Sequence, residues 1–408
     1  MRIAVIGAGI VGSAVGLRLS HTGHDVSFFD PAPEGRPASY GNAGHIGTAS
    51  ILPWASVANL KSAWSCHRDP AHPLVLHPLD LLRQPRWARR FLTACHSARN
   101  AASATVLADL LSNADSALAR LMEEADCSNL RRSEGLLHVY LSQASRQGAE
   151  PGLVLRQEKG IEVRRLSAGD LFDLEPDLVP PSRRAMIDGA TLFPGVGQVL
   201  SPHRVMNAFR KAARAPLIES AVSKVDVTLD GVRLHTVVGT SEFDGVVIAA
   251  GRNGARLAAP LGARVPVIAE RGYHLQYRAP AKFRRSALFV DMRVVASPMC
   301  DGLRLTSGAE FCLPERAPDH ARMAPVFERA QALLGLETPP DEHWSGDRPS
   351  TPDSLPVLGA TPHSRRVFLA YGHGHLGLTM SGVTAELANA HFLGTAGTTS
   401  WDGCRSDR

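Results

Sequence analysis

Lysine is scarce in this 408-residue chain. Only Lys61, Lys159, Lys211, Lys224 and Lys282 are present, so arginine carries almost all of the formal charge of +5. The arginines are interleaved with acids and no basic–aromatic motif accompanies them, which argues against a nucleic-acid-binding protein. The densest cluster, Arg83 to Arg90, reads first as a solvated helix face and second as a patch for phosphates or anionic headgroups. Cysteine is limited to Cys66, Cys95, Cys127, Cys300, Cys312 and Cys404, with no Cys-x-x-Cys pair. That spacing offers no zinc or iron–sulfur ligand set and reads as reduced thiols. The 17 histidines include no His-Glu-x-x-His arrangement, so no metal is expected. No apolar run reaches the roughly 18 residues a membrane span requires. The first strand already begins at Arg2, leaving no room for a cleavable leader, and a cytoplasmic site is expected.

What is present starts at once. Arg2-Ile3-Ala4-Val5-Ile6 is a short apolar run of the kind that forms a buried parallel strand. Gly7-Ala8-Gly9-Ile10-Val11-Gly12 follows, then a helical stretch to His21, then a second apolar strand that ends at Asp30 and Pro31. This is the βαβ context of a dinucleotide fingerprint. Gly7 makes the tight turn, Gly9 admits a pyrophosphate, and Gly12 lets the helix pack on the strand. The helix N-terminus offers free N–H groups and the positive end of its dipole. Asp30 is placed to accept bonds from ribose hydroxyls.

Beyond Asp30 the segment Pro31 to Gly47 is polar and small, and reads as a loop. Leu76–His96 and Ala101–Glu124 are expected as helices. Gln143–Lys159 and Ser201–Arg214 are also expected as helices, the latter with Ser201 as N-cap and Pro202 at its first position. Val222–Leu229 and Val232–Val238 flank Asp230-Gly231 as a hairpin. Val246 to Ala250 is a buried strand, and further strands are expected at Gly135–Leu141, Tyr273–Tyr277, Ala287–Asp291, Val294–Pro298 and Leu303–Phe311. Ala321–Gly335 reads as a helix. A strand at Val367–Tyr371 leads through Gly372-His373-Gly374-His375-Leu376-Gly377 into a helix ending near Leu393, after which a frayed tail is expected. Because βα units stand at both ends with strand-rich stretches between, the fold class is α/β. It comprises a two-dinucleotide-binding (FAD/Rossmann-like) domain with an inserted, mostly antiparallel β-plus-helix substrate domain. The boundaries drawn are 1–75, 165–255 and 340–408 for the first domain, and 76–164 with 256–339 for the second.

Three further segments point to FAD. Val247-Ile248-Ala249-Ala250-Gly251 resembles the second signature of two-dinucleotide-fold flavoproteins. Pro349 to Gly359 and Gly372 to Thr379 resemble their closing C-terminal segments. A glycine-rich turn into a helix suits the flavin edge on which negative charge settles upon reduction. Together with Ser39-Tyr40-Gly41-Asn42-Ala43-Gly44, Pro53-Trp54, Arg271-Gly272-Tyr273, Gly308-Ala309-Glu310-Phe311 and Arg348-Pro349, these motifs resemble the amino-acid dehydrogenase branch of the D-amino-acid oxidase superfamily. The chain is similar to D-amino-acid dehydrogenase small subunits and, more closely, to D-hydroxyproline dehydrogenases.

The resemblance implies non-covalent FAD, since no cysteine stands at an obvious attachment position. Gly7, Gly9, Ile10, Val11, Gly12, Asp30 and Pro31 would hold the ADP half, although family members usually carry Glu where Asp30 stands. Ser39, Asn42, Ala43, Gly44, His45 and Ile46 would lie along the flavin, and Val222, Ala249, Ala250 and Gly251 would border the adenosine. Gly372, Gly374, His375, Leu376, Gly377, Leu378 and Thr379 would close over the ring. Arg348 matches the arginine that clamps the substrate carboxylate, a task for which a planar guanidinium fork is suited. Tyr273 is a second candidate, as a carboxylate donor or lid wall, against a plain core role. His45 and His375 replace the Gln and Thr of D-amino-acid dehydrogenases; each reads either as an active-site residue that meets a ring hydroxyl or as a packed histidine. Arg271, Arg293 and Glu310 are further lining candidates.

The activity so implied is oxidation of a D-amino or cyclic imino acid, with the α-hydrogen passing as hydride to flavin N5 and an imine leaving. A quinone or carrier protein would take the electrons, with peripheral contact to the inner face of a membrane and homo- or hetero-oligomers left open. The alternatives are a glycine- or sarcosine-type oxidase using O2, and the FAD-carrying subunit of a heteromeric dehydrogenase.

Overall fold

Ile3 to Ile6 are buried on both faces of their strand, as a continuous apolar run requires. In the computed structural model, which describes residues 1–57, 59–60, 69, 72–395 and 402–408, this strand is central to a six-stranded sheet. The order is Leu217–Glu219, Asp25–Asp30, Arg2–Ile6, Gly245–Ile248, Ser364–Tyr371, Val357–Thr361. All neighbours run parallel except the last pair. Helices Ile10–His21, Pro202–Ala213 and Gly377–Phe392 share an apolar cluster on one face. The three-stranded meander Val222–Val227, Val232–Thr236, Gly239–Phe243 packs on the other. Gly12 lets the first helix sit this close: a Cβ there would lie 1.9 Å from the Gly7 carbonyl oxygen.

A nine-stranded sheet forms the second layer. Its path is Glu342–Ser350, Ile268–Tyr277, Gly302–Cys312, Val294–Met299, Ser286–Phe289, Leu136–Tyr140, Gly189–Phe193, Arg164–Ser167, with Leu74–Leu76 beside Gly302–Cys312. It is antiparallel except where Ser286–Phe289 meets Leu136–Tyr140 and where Leu74–Leu76 joins. The helix His320–Leu334 covers its apolar face.

Several expectations are corrected. The helix expected at Leu76–His96 is a strand, Leu74–Leu76, and two helices, Pro78–Leu82 and Pro85–Ala94, because Pro85 cannot donate to a continuing helix. The helix expected at Ala101–Glu124 starts earlier and breaks at Asn113, giving Ser97–Ser112 and Ala114–Glu124. Gly189–Phe193 and Glu342–Ser350 lie inside segments drawn as FAD-binding domain, yet they pair within the nine-stranded sheet. The end of the chain is not frayed at 402–408: Cys404 is buried and the Arg408 guanidinium binds Asp353 at 2.9 Å. Cys66 lies outside the described residues, as do 396–401 of the expected tail. No helix among the described residues is long and apolar enough to cross a membrane.

Candidate active site

A cavity of about 680 Å³ opens at the C-terminal ends of the parallel strands, where such sheets bind ligands. The first turn contributes Gly7, Gly9, Ile10 and Val11 to its wall, and the end of the second strand contributes Asp30 and Pro31. Ser39 and Asn42 come from the following loop, and Val222, Ala249, Ala250 and Gly251 from the meander and fourth-strand end. Gly372, Gly374, His375, Gly377 and Leu378 close it from the last turn.

Its chemistry suits an anionic dinucleotide. The helices Ile10–His21 and Gly377–Phe392 both begin here, and neither has a cap from its own N-cap side chain or an acid in its first turn, although the Ile10 N–H donates to Ser39 Oγ at 3.3 Å. Two positive helix ends therefore face the cavity. Six arginines (Arg36, Arg252, Arg256, Arg271, Arg316, Arg348) line it; among the described residues all but Arg256 are paired with an acid, Arg36 with Glu342, Arg252 and Arg271 with Asp347, Arg316 with Asp80 and Arg348 with Glu270. At Gly9 a Cβ would meet only Ser39 Oγ, at 3.9 Å, leaving room for a close ligand. Asp30 accepts the Ala8 N–H at 2.8 Å and the Ala32 N–H at 2.9 Å. Each carboxylate oxygen retains acceptor capacity for a ribose hydroxyl.

A second cavity, of about 330 Å³, adjoins the first, and Asn42, Arg348 and His375 line both. Ala43, His45, Leu376 and Thr379 face the second cavity, with Trp54, Leu74, Leu288 and Val295 supplying apolar wall. Thr379 Oγ1 accepts the Gly47 N–H at 2.9 Å, tying the loop to the last helix. Arg304, which the sequence reading missed, is 4% exposed and donates to the carbonyls of Tyr40 and Asn42, both at 2.9 Å.

Arg348 stands on Glu342–Ser350, directly across the strand pair from Glu270. Its Nη1 donates to Glu270 at 3.1 Å and to the Gly308 carbonyl at 2.9 Å. Glu270 is 2% exposed, also accepts from the Ser350 hydroxyl, and lines the second cavity. It too was missed; the strand Ile268–Tyr277 also carries Arg271, His274 and Gln276, so a single acid in it gave no distinct signal. Burial depresses the His45 pKa to about 4, so its ring is neutral near pH 7. His45 Nε2 is buried with no hydrogen-bond partner among the described residues. His375 faces the open cavities, yet desolvation lowers its pKa as well.

Other expected residues lie elsewhere. Tyr273 is 1% exposed and lines neither cavity. Its hydroxyl donates to Glu310 and accepts the Asp319 N–H, so it is committed to a buried network rather than to a substrate. Burial and the neighbouring Glu310 acceptor keep its phenol protonated. Glu310, shared with His77, also lies away from both cavities. Gly12, Gly44 and Ile46 support the walls from behind. Gly12 seats the helix, the Gly44 carbonyl accepts the Val199 N–H, and Ile46, fully buried, pairs with Gly197. Arg271 lines the first cavity and Arg293 the second.

Residues 2–390 match the family DAO, FAD dependent oxidoreductase. The chain is 30% identical over 405 residues to a D-amino-acid oxidase of Bradyrhizobium diazoefficiens, covering 94% of this chain and 93% of that protein. It is 30% identical over 439 residues to a D-amino acid dehydrogenase of Paramagnetospirillum magneticum, covering 100% and 99%. The glycine oxidase of Geobacillus kaustophilus superposes with a TM-score of 0.74 at 22% identity, over 100% of this chain and 99% of that one. The L-proline dehydrogenase of P. horikoshii gives the same score at 14% identity, over 100% and 97%. At these identities the two structures establish the fold. The paired helix N-termini and the open glycine turn suit the cofactor the family carries, and the chain belongs to the DAO family of FAD dependent oxidoreductases.

Proposed function

We propose that this oxidoreductase is a dehydrogenase of D-amino or cyclic imino acids, of D-proline or cis-4-hydroxy-D-proline size, holding FAD non-covalently. The observation that carries the reading is the shared wall: Arg348 and His375 line both cavities. A group held on Arg348 in the smaller cavity therefore borders the cofactor cavity. The relatives named D-amino-acid oxidase and D-amino acid dehydrogenase support the substrate class.

FAD, when bound, accepts the electron pair of the substrate Cα–H bond as hydride. The protein's share is binding and orientation. Arg348 Nε and Nη2 have no hydrogen-bond partner among the described residues and would present a planar fork to a carboxylate. Held there, the carboxylate fixes Cα relative to the cofactor cavity, where orientation contributes a large part of the rate. His45 and His375, neutral near pH 7, offer hydrogen bonds to a ring hydroxyl without adding charge. The uncapped N-terminus of Gly377–Phe392 adds a positive dipole end where reduction brings negative charge.

In this reading the unit around the six-stranded sheet holds FAD, and the nine-stranded sheet shapes the substrate cavity. Electrons leave to a quinone or carrier protein. Exposed Leu79 and Leu82, beside the exposed Arg83, Arg86 and Arg89, would make the peripheral membrane contact.

Anaerobic visible spectra of the purified protein, titrated with D-proline, cis-4-hydroxy-D-proline, D-alanine, sarcosine and glycine, test the proposal. Bleaching by the cyclic D-acids with slow recolouring in air is expected. Rapid recolouring with peroxide would make it an oxidase, and a flavin that no amino acid bleaches would refute the substrate class.

A further inference from the structure

The clamp just described leaves Glu270 of the second cavity unused. Glu270 is 2% exposed and lines that cavity beside Arg348. Its two oxygens accept one protein hydrogen bond each, from Arg348 and from Ser350. A carboxylate has about four acceptor positions, so half of its capacity remains. Across the strand pair, Arg348 keeps Nε and Nη2 without a hydrogen-bond partner among the described residues. Unused donors and unused acceptors thus stand side by side on one wall.

A buried acid is a poor companion for an arginine whose only task is to hold an anion, because it repels the incoming charge. It suits a ligand that brings its own cation next to its carboxylate. In an α-amino or α-imino acid the nitrogen sits one carbon from the carboxylate, matching the adjacent Glu270 and Arg348.

We propose that Glu270 is the amino-group subsite, binding the substrate nitrogen while Arg348 holds the carboxylate; this rests on the amino-acid reading above. The pair selects amino and imino acids over acids of the same shape that lack the nitrogen. It also disfavours a 2-oxo acid product, which keeps the carboxylate but has lost the cation.

The test compares D-proline with tetrahydrofuran-2-carboxylate, in which ring oxygen replaces the nitrogen, using the holoenzyme. Binding is followed by perturbation or bleaching of the flavin spectrum under anaerobic conditions. In the wild type the oxygen analogue should bind at least about tenfold more weakly than D-proline, the worth of one charge-assisted hydrogen bond. Glu270→Gln keeps the volume and an acceptor for Arg348 but removes the charge. It should lower kcat/KM for D-proline by about 10- to 100-fold and leave the analogue's affinity unchanged or tighter.

Equal weakening of both ligands would make Glu270 only an anchor for Arg348 and overturn the proposal. Equal affinities in the wild type would overturn it without any variant, so the test survives a Glu270→Gln protein that fails to fold. A wild type that oxidises none of D-proline, D-alanine and sarcosine would instead overturn the reading beneath it.

Discussion

Gly272→Ala is the sharpest test of how Arg348 is held. A Cβ built on Gly272 would lie 2.1 Å from Arg348 Nη2, 2.5 Å from Cζ and 3.0 Å from Nη1. The guanidinium therefore lies over this residue, Nη2 nearest. Ordinary contact needs about 3.5 Å, so the guanidinium must shift by about 1.5 Å. The obstacle is the end of a long side chain, so the fold can yield without moving backbone. The cost to stability is loss of hydrogen bonds to the Gly308 carbonyl, about 1 kcal/mol, and to the buried Glu270 carboxylate, about 1.5–3 kcal/mol. Replacing glycine returns about 0.4–1 kcal/mol through the unfolded chain. Stability should thus fall by about 1.5–3.5 kcal/mol while the clamp is misplaced. A 1 Å misplacement can cost about 10²-fold in rate, so kcat/KM for the best D-amino or imino acid should fall by at least that factor. The assay pairs steady-state kinetics with a thermal melt and the flavin absorbance of the same preparation. Retention of kcat/KM within about threefold would refute the placement of Arg348 over Gly272 or its role as clamp.

Arg348→Lys should lower kcat/KM by about 10²-fold or more with FAD retained, because an ammonium cannot present two parallel donors; near-wild-type kinetics would remove Arg348 from the site. Tyr273→Phe takes a donor from buried Glu310 and should destabilise by about 1–3 kcal/mol in denaturant unfolding, with kcat/KM unchanged; the reverse pattern would return Tyr273 to the substrate. Asp30→Ala frees the Ala8 and Ala32 N–H groups and should release FAD on gel filtration, read as a lower ratio of flavin to protein absorbance. Acid should destabilise the fold well above the carboxylate range. Burial holds His45 and His373 near pKa 4, and His138 and His274 near 3. Below about 6.5 the unfolded chain gains protons that these folded rings refuse, so stability falls with pH by up to about 1.4 kcal/mol per unit for each. Denaturant midpoints at pH 7, 6 and 5 check this, and a flat series would contradict the buried neutral rings.

The parts of the molecule that the sequence disclosed are local ones. The first strand, glycine turn, helix and Asp30 lie within thirty residues, and their spacing states their geometry. The same holds for Ser201 capping Pro202–Ala213, where its side chain accepts the Arg204 N–H. Arg348 and the last turn came from motifs whose chemistry is tied to residue type. Glu270 was missed because its partner Arg348 is 78 positions away and becomes its neighbour only through strand pairing. Arg304 was missed for the same reason, since it meets the loop at Tyr40 and Asn42 across more than 260 positions. Tyr273 was placed in the right strand but at the wrong face. Glu270 and Gly272 share one side of Ile268–Tyr277, Arg271 and Tyr273 the other, and only pairing decides which side meets the cavity.

That alternation explains how one strand pair serves two cavities. Glu270 faces Arg348 and, one position along, Arg271 faces Asp347, with Arg271 Nε donating to Asp347 at 2.8 Å. The first pair opens on the smaller cavity, with Arg348 reaching both, while Arg271 and Asp347 line the larger one. Two cross-strand ion pairs of opposite order thus sit on opposite faces of the same ribbon. A slip of one residue would turn Arg348 away from the smaller cavity and replace it with its neighbours. The neighbouring contacts resist such a slip: the guanidinium occupies the space a Cβ at Gly272 would fill, and Ser350, two positions beyond Arg348, donates to the same Glu270. The register of this strand pair is therefore what sets the smaller cavity against the larger one, and Gly272 is the position at which a single methyl group tests it.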